Sequence, residues 1–231
     1  MAKFIVFGNQ KGGIGKTTLA VLTATGLSQA PFNKKVLLID NDNQQSAIRL
    51  RRYDDEQYEG EPPYLIEGMT YQQIVESIAS IDQHYDYVFI DTPGKLDHNL
   101  PPEQQEVTKI LLLTDFLFMP FKGGALNLDA TTDYVKVLLK AQQHRVETDR
   151  PLNVYGVVNF YKERSRINRE LKEELEYLKK HAGLKFLNTP FKQYVAYEYI
   201  DTYKSMYDKE SLEPSKNNYV TFLNEFYKKI K

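Results

Sequence analysis

Short runs of consecutive apolar residues recur along the chain, separated by polar or glycine-containing segments. Runs of this length that are rich in valine, isoleucine, phenylalanine and tyrosine are typical of β-strands. Several are apolar at every position rather than at alternate positions, which is typical of strands buried on both faces of a parallel sheet. The predicted strands cover 3–8, 35–40, 64–68, 86–91, 115–120, 153–158 and 185–188.

Longer stretches with helical periodicity separate these runs. The predicted helices include 16–29, 70–81, 128–144 and 166–182. This repeated strand–helix order predicts an α/β fold, in which a doubly wound, mostly parallel sheet carries helices on both faces. The polar segments 51–63 and 96–105 are predicted to be loops within a single domain spanning 1–231, because neither resembles a linker.

The composition removes several classes of function. The chain contains no cysteine, which excludes disulfides, thiolate metal sites and iron–sulfur ligation by this chain alone. It begins directly with a predicted strand, and no apolar run approaches the roughly 20 residues needed to cross a bilayer, so we expect a cytoplasmic protein. The net charge of -1 creates no global field, so a nucleic-acid or membrane partner would need a local basic patch.

The segment GNQKGGIGKTT, residues 8–18, lies between the first predicted strand and the first predicted helix. It ends like the phosphate-binding pattern G-x-x-x-x-G-K-[ST], although Gln10 stands where that pattern has its first glycine. In such a loop backbone N–H groups approach the phosphates, Lys16 reaches the β and γ oxygens, and the Thr17 hydroxyl ligates Mg²⁺. The alternative is a glycine-rich turn without a ligand, and the position between strand and helix argues against it.

Aspartates stand at the ends of two predicted strands. Asp40 and Asp42 follow the run VLLI, and Asp91 follows VFI in a later strand. Because an open α/β sheet binds its ligand at the carboxyl ends of its strands, we expect these carboxylates to converge on the loop. Asp91 and Asp40 are predicted to serve Mg²⁺, and Asp42 to orient the attacking water. Taken singly, such aspartates are more often caps of turns or helices.

Three segments together resemble the ParA/MinD group of deviant-Walker ATPases, and within it the ParA partition proteins. NQKGGIGKTT is similar to the family's K-G-G-x-G-K-T-T, VLLIDNDNQQSA to V-L-L-I-D-x-D-P-Q-x-S, and DYVFIDTPG to D-y-x-x-x-D-x-P-P. The resemblance covers nearly the whole chain. Asn43 and Gly94 depart from the pattern, which has proline at both positions, and these departures change the loops while keeping the carboxylates.

The resemblance implies a homodimer that buries ATP and Mg²⁺ between two subunits. Lys11 would reach the phosphates bound by the other subunit and act in catalysis with Lys16 and Asp42, although the residues alone also allow a solvated loop lysine. Asn159 matches the family's adenine-contacting asparagine, although a strand-ending asparagine is often a turn residue. The implied nucleotide-binding set is Lys11, Gly12, Gly13, Ile14, Gly15, Lys16, Thr17, Thr18 and Asn159.

The densest basic region begins near residue 160 and continues into the predicted helix 166–182. At a period of 3.6 residues, apolar side chains form a buried stripe and basic side chains share the exposed side. ParA proteins bind DNA without sequence preference in their ATP form, so the resemblance implies a phosphate-contacting patch. The alternative is a solvated face, since Glu173 and Glu176 interrupt the charge. The predicted DNA-binding residues are Arg164, Arg166, Arg169, Lys172, Lys179 and Lys180.

The C-terminal segment YVTFLNEFYKKIK carries an apolar stripe made of Tyr219, Leu223, Phe226 and Ile230. MinD-like relatives use an amphipathic tail on membranes, whereas ParA proteins pack their last helix on the domain. The aromatic character and ordinary width of the stripe favour core packing, so we expect no membrane partner.

The resemblance to short ParA proteins also implies the cellular setting. A separate small centromere-binding protein would supply the site-specific DNA contact and stimulate hydrolysis by an enzyme of weak intrinsic ATPase activity. The protein would then be cytoplasmic and associated with the nucleoid. A non-enzymatic interaction module is the remaining alternative, and measurable ATP turnover would discard it.

Overall fold

The strands of this chain form one parallel sheet. The computed structural model describes residues 1–9, 11–94, 106–123, 131, 134–135, 138, 141–143, 145, 150–162, 166–208 and 213–231. Every strand pair recorded among these residues is parallel. Each strand begins within one residue of its predicted start. The strands are β1 Lys3–Phe7, β2 Val36–Asp40, β3 Leu65–Gly68, β4 Tyr87–Asp91, β5 Phe116–Phe121, β6 Asn153–Val158 and β7 Lys185–Phe186.

The sheet has the strand order β3-β2-β4-β1-β5-β6-β7. Strands β2, β4 and β5 are buried at every residue. Helices cover both faces of such a sheet, and this explains why the strand sequences are continuously apolar rather than alternating. The order places the carboxyl end of β1 at the centre of one edge, with Asp40 of β2 opposite Asp91 of β4 in the register. The predicted doubly wound α/β fold is therefore confirmed.

Helices pack on the two faces through two separate apolar cores. Helices α1 and α6 contribute to one core, and α3, α4 and α5 contribute to the other. The described residues between 131 and 145 are also helical, which agrees with part of the prediction for 128–144. The bounds are α1 Lys16–Ser28, α2 Ser46–Asp55, α3 Tyr71–His84, α4 Glu106–Leu113, α5 Arg166–Ala182 and α6 Glu213–Ile230.

The prediction of a loop over 51–63 is wrong for its first five residues, because α2 extends to Asp55. Its buried positions are Ala47, Arg51 and Asp54, so the inward face has helical spacing but carries two charged residues. Arg51 donates to the Thr202 hydroxyl at 2.7 Å and to the Tyr64 carbonyl at 2.8 Å. An analysis of apolar periodicity cannot detect a helix whose buried face is polar and satisfied by hydrogen bonds.

The C-terminal helix α6 packs on the sheet, as the apolar stripe predicted. Tyr219, Leu223, Phe226 and Ile230 are all 0% exposed. The ring of Phe226 stacks on that of Phe89 in β4, with ring centroids 6.2 Å apart, so the helix belongs to the centre of the core. This stripe is therefore not available as a membrane-binding face in the folded domain. Among the described residues, no helix is both long and apolar enough to span a bilayer. The predicted loop 96–105 lies outside the described residues.

Candidate functional site

The segment between β1 and α1 forms a tight loop whose conformation requires glycine. Gly13 and Gly15 have φ values of 69° and 87°, in the left-handed region that other residues rarely adopt. A Cβ on Gly15 would also lie 2.4 Å from Nδ2 of Asn159, which leaves no room for a side chain. The loop ends where α1 begins at Lys16, so the backbone N–H groups of the helix N-terminus open toward the same space.

Lys16 lies at the base of this loop and is only 8% exposed. Its Nζ lies 3.4 Å from the carbonyl oxygen of Lys11. Burial lowers the pKa of Lys16, while the nearby carboxylates of Asp91 and Asp42 raise it. A buried ammonium that makes few hydrogen bonds with the protein is costly to keep charged. An anion stabilises it by accepting the hydrogen bonds that the ammonium can still donate.

Thr17 and Asp91 meet directly beneath the loop. The Thr17 hydroxyl donates to Oδ2 of Asp91 at 2.6 Å. Oδ1 of Asp91 is buried and has no hydrogen-bond partner among the described residues. Burial raises the pKa of Asp91 to about 7, opposed by the hydrogen bond from Thr17. A carboxylate oxygen left without a partner beside a threonine hydroxyl fits a hydrated Mg²⁺ ion.

Asp40 contacts backbone groups in the structure, and its role at Mg²⁺ stays a prediction. Oδ2 of Asp40 accepts from the backbone N–H groups of Ala47 at 3.0 Å and Ile48 at 3.2 Å, in the first turn of α2. Oδ1 accepts from the N–H of Asp42 at 3.2 Å. Both oxygens are therefore occupied by backbone donors, and burial raises the pKa of this carboxyl despite them. Asp40 anchors the start of α2, so we leave it out of the proposed metal ligands.

The carboxylates consequently do not form a metal cage made of protein alone. Within the described part of the chain, no group of three or more histidine, cysteine, aspartate and glutamate side chains could hold a metal ion. Mg²⁺ commonly binds through one or two carboxylates together with phosphate oxygens and water. The arrangement of Thr17 and Asp91 fits a metal ion that arrives with a nucleotide.

A cavity of about 580 Å³ opens above the loop. Most of the predicted residues of the loop line it, together with Asp42, which accepts from the N–H of Gln44 at 3.0 Å. The sequence motifs do not single out the other lining residues as ligand contacts. Phe160 directly follows Asn159, whereas the rest lie two to four residues after Asp42 or Asp91. The cavity is lined by Gly12, Gly13, Gly15, Lys16, Thr17, Thr18, Asp42, Gln44, Ser46, Pro93, Gly94 and Phe160.

Asn159 supports the loop from the end of β6. It is 2% exposed, and its Nδ2 donates to the carbonyl oxygen of Ile14 at 2.7 Å. Its Oδ1 accepts from the N–H of Phe160 at 2.9 Å. Asn159 is not among the described residues that line the cavity, whereas Phe160 is. The contact of Asn159 with adenine remains a prediction, and its observed contacts hold the phosphate loop in place.

Lys11 differs from Lys16 in its position on the same loop. Lys11 is exposed, and its backbone N–H donates to Oδ1 of Asn9 at 3.2 Å. The side chain lies outside the set that lines the cavity of its own chain, as far as the described residues go. The predicted contact with a second subunit remains a prediction.

The predicted DNA-binding residues lie on or before α5. Lys172, Lys179 and Lys180 are exposed, and Lys179 pairs with Glu176 at 2.6 Å. Arg166 and Arg169 belong to the first part of α5, while Arg164 lies outside the described residues. The structure therefore places the described lysines on one helix, and part of their charge is balanced by a neighbouring glutamate. Their contact with DNA remains a prediction.

Comparison with known proteins identifies the class to which this site belongs. The sequence profile of the CobQ/CobB/MinD/ParA nucleotide binding domain matches residues 5–196. This match includes the phosphate loop and both aspartate-ended strands, and the chain belongs to this family. It is a P-loop ATPase domain of the ParA/MinD type. This membership supports nucleotide hydrolysis as its general activity.

Individual relatives agree with this assignment. Maintenance of carboxysome distribution protein A from Halothiobacillus neapolitanus is 25% identical over 189 residues, which cover 82% of this chain and 79% of that protein. A plasmid partition protein from Borrelia burgdorferi bound to AMPPNP superimposes with a TM-score of 0.68 at 21% identity, covering 99% of each chain. Cobyrinic acid a,c-diamide synthase from Mycobacterium smegmatis, with a bound ATP analogue and magnesium, gives 0.69 at 17% identity and covers 99% and 95%. At these identities the two structures establish the shared fold.

Proposed function

We propose that this protein is a partition-type ATPase, which dimerises when it binds ATP and then holds DNA without sequence preference. The observation that carries the proposal is the junction of Lys16, Thr17 and Asp91 beneath a glycine-shaped loop. This junction combines a buried cation, a hydroxyl and a carboxylate oxygen without a partner, which are the groups that a Mg²⁺-bound triphosphate requires. Membership of the nucleotide-binding family supports it.

The chain's own residues divide the chemistry. The loop N–H groups and Lys16 bind the β- and γ-phosphates, and Thr17 with Asp91 orients the hydrated Mg²⁺ ion. When bound, Mg²⁺ neutralises charge on the phosphates. Asp42, at the rim of the cavity, holds the attacking water by accepting its hydrogen bond and disfavours other orientations.

Lys11 is proposed to complete the site of a second subunit. Support comes from the contrast between the two loop lysines, because Lys16 is buried in its own site while Lys11 is exposed beside it. A charge supplied by another subunit makes the nucleotide site complete only after assembly, so ATP binding becomes a switch between monomer and dimer.

Lys11→Ala tests this dimer directly. We expect the variant to bind ATP with nearly the affinity of the wild type but to dimerise about tenfold more weakly. Light scattering with a slowly hydrolysed ATP analogue measures dimerisation, and Lys35→Ala, a distant exposed lysine, serves as the control. Unchanged dimerisation by Lys11→Ala would assign that residue to the solvated surface.

The ATP-bound dimer is proposed to bind DNA through the basic residues that begin at Arg164 and continue along α5. Two patches brought together release about twice as many counterions as one, so binding strengthens with assembly and weakens with salt. A small centromere-binding protein would stimulate hydrolysis and release the DNA. The protein would then reside in the cytoplasm on the nucleoid.

A second cargo is supported by one specific relative. The carboxysome distribution protein is similar over most of both chains. The same ATP-dependent cycle could therefore distribute a carboxysome-like body instead of a DNA replicon. The adaptor that recruits the ATPase, rather than the ATPase domain, would distinguish these two cargoes.

Retention of nonspecific DNA in the presence of ATP, with ADP as the control, tests the proposal. We expect retention with ATP and Mg²⁺ only, and measurable ATP turnover. Anionic liposomes form a third arm, for which we expect no retention because the apolar stripe of α6 is buried. DNA binding that is equal with ATP and ADP would disprove the switch, and liposome binding would favour the MinD-like alternative.

A further inference from the structure

A second groove, of about 650 Å³, lies at the β7 edge of the sheet between α5 and the end of α6. It has no lining residue in common with the cavity above the phosphate loop. The proposed ATPase cycle uses two of its lining residues, Lys172 and Lys179, for DNA binding, but it gives no task to the rest of the groove. Its size is in the range of ligand and peptide grooves in proteins.

Apolar side chains form much of this groove. Leu171 and Leu175 of α5 contribute from one side, and Leu184 and Phe186 contribute from β7 and the residue before it. Phe186 is only partly buried, and it packs against Phe121 with ring centroids 5.4 Å apart. Leu171, Leu175 and Leu184 are themselves buried, at 2%, 8% and 8% exposure, so the apolar surface open to a ligand is that of the partly buried lining residues such as Phe186. Such surface gains free energy when a ligand removes it from water.

Lysines from three different elements surround the apolar surface. They are Lys172 and Lys179 of α5, Lys185 of β7 and Lys229 of α6. Among the described lining residues there is no aspartate or glutamate. The local charge is therefore strongly positive, in contrast to the net charge of -1 for the whole chain. This combination fits a ligand that is both anionic and apolar.

Two glutamates beside the groove offset part of this charge, because Glu225 interacts electrostatically with Lys229 and Glu176 pairs with Lys179. Glu225 is engaged by the backbone N–H groups of Asn188 at 2.7 Å and Thr189 at 2.8 Å. Glu176 pairs with Lys179, and that pair is exposed on both sides. Exposed pairs of this type contribute little and exchange readily, so Lys179 can turn to a new carboxylate at small cost.

The groove also contains the edge of the sheet. Strand β7 is last in the strand order and pairs with β6 on one side. An extended chain can add to such an edge through main-chain hydrogen bonds, while its alternate side chains point into and out of the groove. Acidic residues would then meet the lysines, and apolar residues would meet Phe186 and the other partly buried apolar lining residues.

We propose that this groove docks an extended segment of a partner protein in which acidic and apolar residues alternate. The partly buried apolar surface around Phe186 distinguishes this occupant from DNA, because a phosphate backbone gains nothing from contact with apolar side chains and is held by exposed charge alone. DNA bound at α5 depends on the lysines of the exposed helix face, including Lys180, which does not line the groove.

Fluorescence anisotropy with a labelled eight-residue peptide of alternating glutamate and leucine tests the proposal. The wild-type protein without nucleotide is used, so the result does not depend on ATP binding or dimerisation. The comparison peptides alternate glutamine with leucine, or contain glutamate only, and a labelled DNA duplex is the fourth probe. We expect the glutamate–leucine peptide to bind at least about tenfold more tightly than either comparison peptide.

Charge reversals locate the binding. Lys185→Glu and Lys229→Glu should each weaken binding of the glutamate–leucine peptide by about tenfold, because each removes an attraction and adds a repulsion. Lys228→Glu reverses the neighbouring exposed lysine on α6 and should leave peptide binding within about twofold. Lys180→Glu should weaken ATP-dependent DNA binding while keeping peptide binding. Thermal melting confirms that each variant is folded.

Three results would overturn the proposal. Absence of peptide binding by the folded wild-type protein would remove the docking site. Equal binding of the glutamate-only peptide would show a charged surface without a groove-specific ligand. Equal losses in Lys185→Glu, Lys228→Glu and Lys180→Glu, with the DNA duplex competing for the peptide, would assign the lysines to general DNA binding.

Discussion

The carboxyl ends of β2 and β4 lie side by side, end in the same residue type and use it in opposite ways. Asp40 and Asp91 are directly opposite one another in the strand register. Both oxygens of Asp40 accept backbone N–H groups, so this carboxylate belongs to the fold. One oxygen of Asp91 meets Thr17 and the other has no partner among the described residues. Backbone donors of the protein fill both oxygens of the first carboxylate, whereas one oxygen of the second has no such donor among the described residues.

The chain that follows each strand explains the difference. After β2 the backbone turns within a few residues into α2, and the first N–H groups of that helix point at Asp40. These groups are orphan donors, and a carboxylate is a favourable partner for them. Asp91 instead contacts the first turn of α1, where the Thr17 hydroxyl donates a hydrogen bond to one of its two oxygens only. Identical strand ends therefore acquire different hydrogen-bond partners from the segments that follow or adjoin them.

The largest expected effect separates ligand binding from folding. Lys16→Ala should weaken ATP binding by about 1,000-fold, because two charge-assisted hydrogen bonds to phosphate are lost. Its stability should not fall below that of the wild type by more than about 1 kcal/mol, since burial already disfavours the charge. Calorimetric titration with a nonhydrolysable ATP analogue measures the affinity. Retained micromolar affinity would contradict the assignment of this site.

The second effect concerns turnover. Asp42→Ala should hydrolyse ATP about 100-fold more slowly, because the carboxylate that orients the water is lost, while ATP affinity and dimerisation persist. Phosphate release under saturating ATP measures the rate. Glu56→Ala, an exposed acid beyond the end of α2, provides the control. Wild-type turnover in Asp42→Ala would remove this residue from the proposed chemistry.

The third prediction uses the raised pKa of Asp91. A carboxyl group with a raised pKa binds its proton more tightly when folded, so the free energy of unfolding falls as pH rises from about 4 to about 7. Asp91→Asn has no carboxyl group at this position, so its free energy of unfolding does not fall with pH for this reason. Without nucleotide or Mg²⁺, the variant should equal the wild type near pH 4 and exceed it by about 2 kcal/mol at pH 8. Urea unfolding measures this difference in the free energy of unfolding. If the wild type and Asp91→Asn depend on pH in the same way, burial does not raise the pKa of Asp91.

The smallest expected effect has the opposite sign. Asp40→Ala should lower the free energy of unfolding by about 1 kcal/mol at pH 8, because the first turn of α2 loses its carboxylate acceptor. Part of that loss is offset, since Asp40 is itself buried and its pKa is raised. Urea unfolding beside Asp91→Asn gives the direct comparison. If both variants shift stability in the same direction, the contrast between the two strand ends is incorrect.

The local pattern was sufficient for elements that depend on apolar burial or on fixed backbone geometry. The strands and the stripe of α6 follow from continuous or periodic apolar residues, and both cores contain them as expected. The phosphate loop is local as well, because glycines at positive φ between a strand and a helix define it. Helix α2 was not predicted, because Arg51 and Asp54 form its buried face with the help of Thr202, which lies far away in the chain.

The sequence by itself determined the order of the strands, the glycine-containing loop between β1 and α1 and the candidate carboxylates. Only the tertiary structure decided which carboxylate accepts hydrogen bonds from a helix N-terminus, which asparagine supports the loop and which lysines surround a groove. These properties depend on residues that come together across long separations in the chain. Asn159 donates to Ile14, and Lys229 lines the same groove as Lys185. A residue type specifies which partners a side chain can accept, but its three-dimensional neighbours specify which of those partners remain for a ligand.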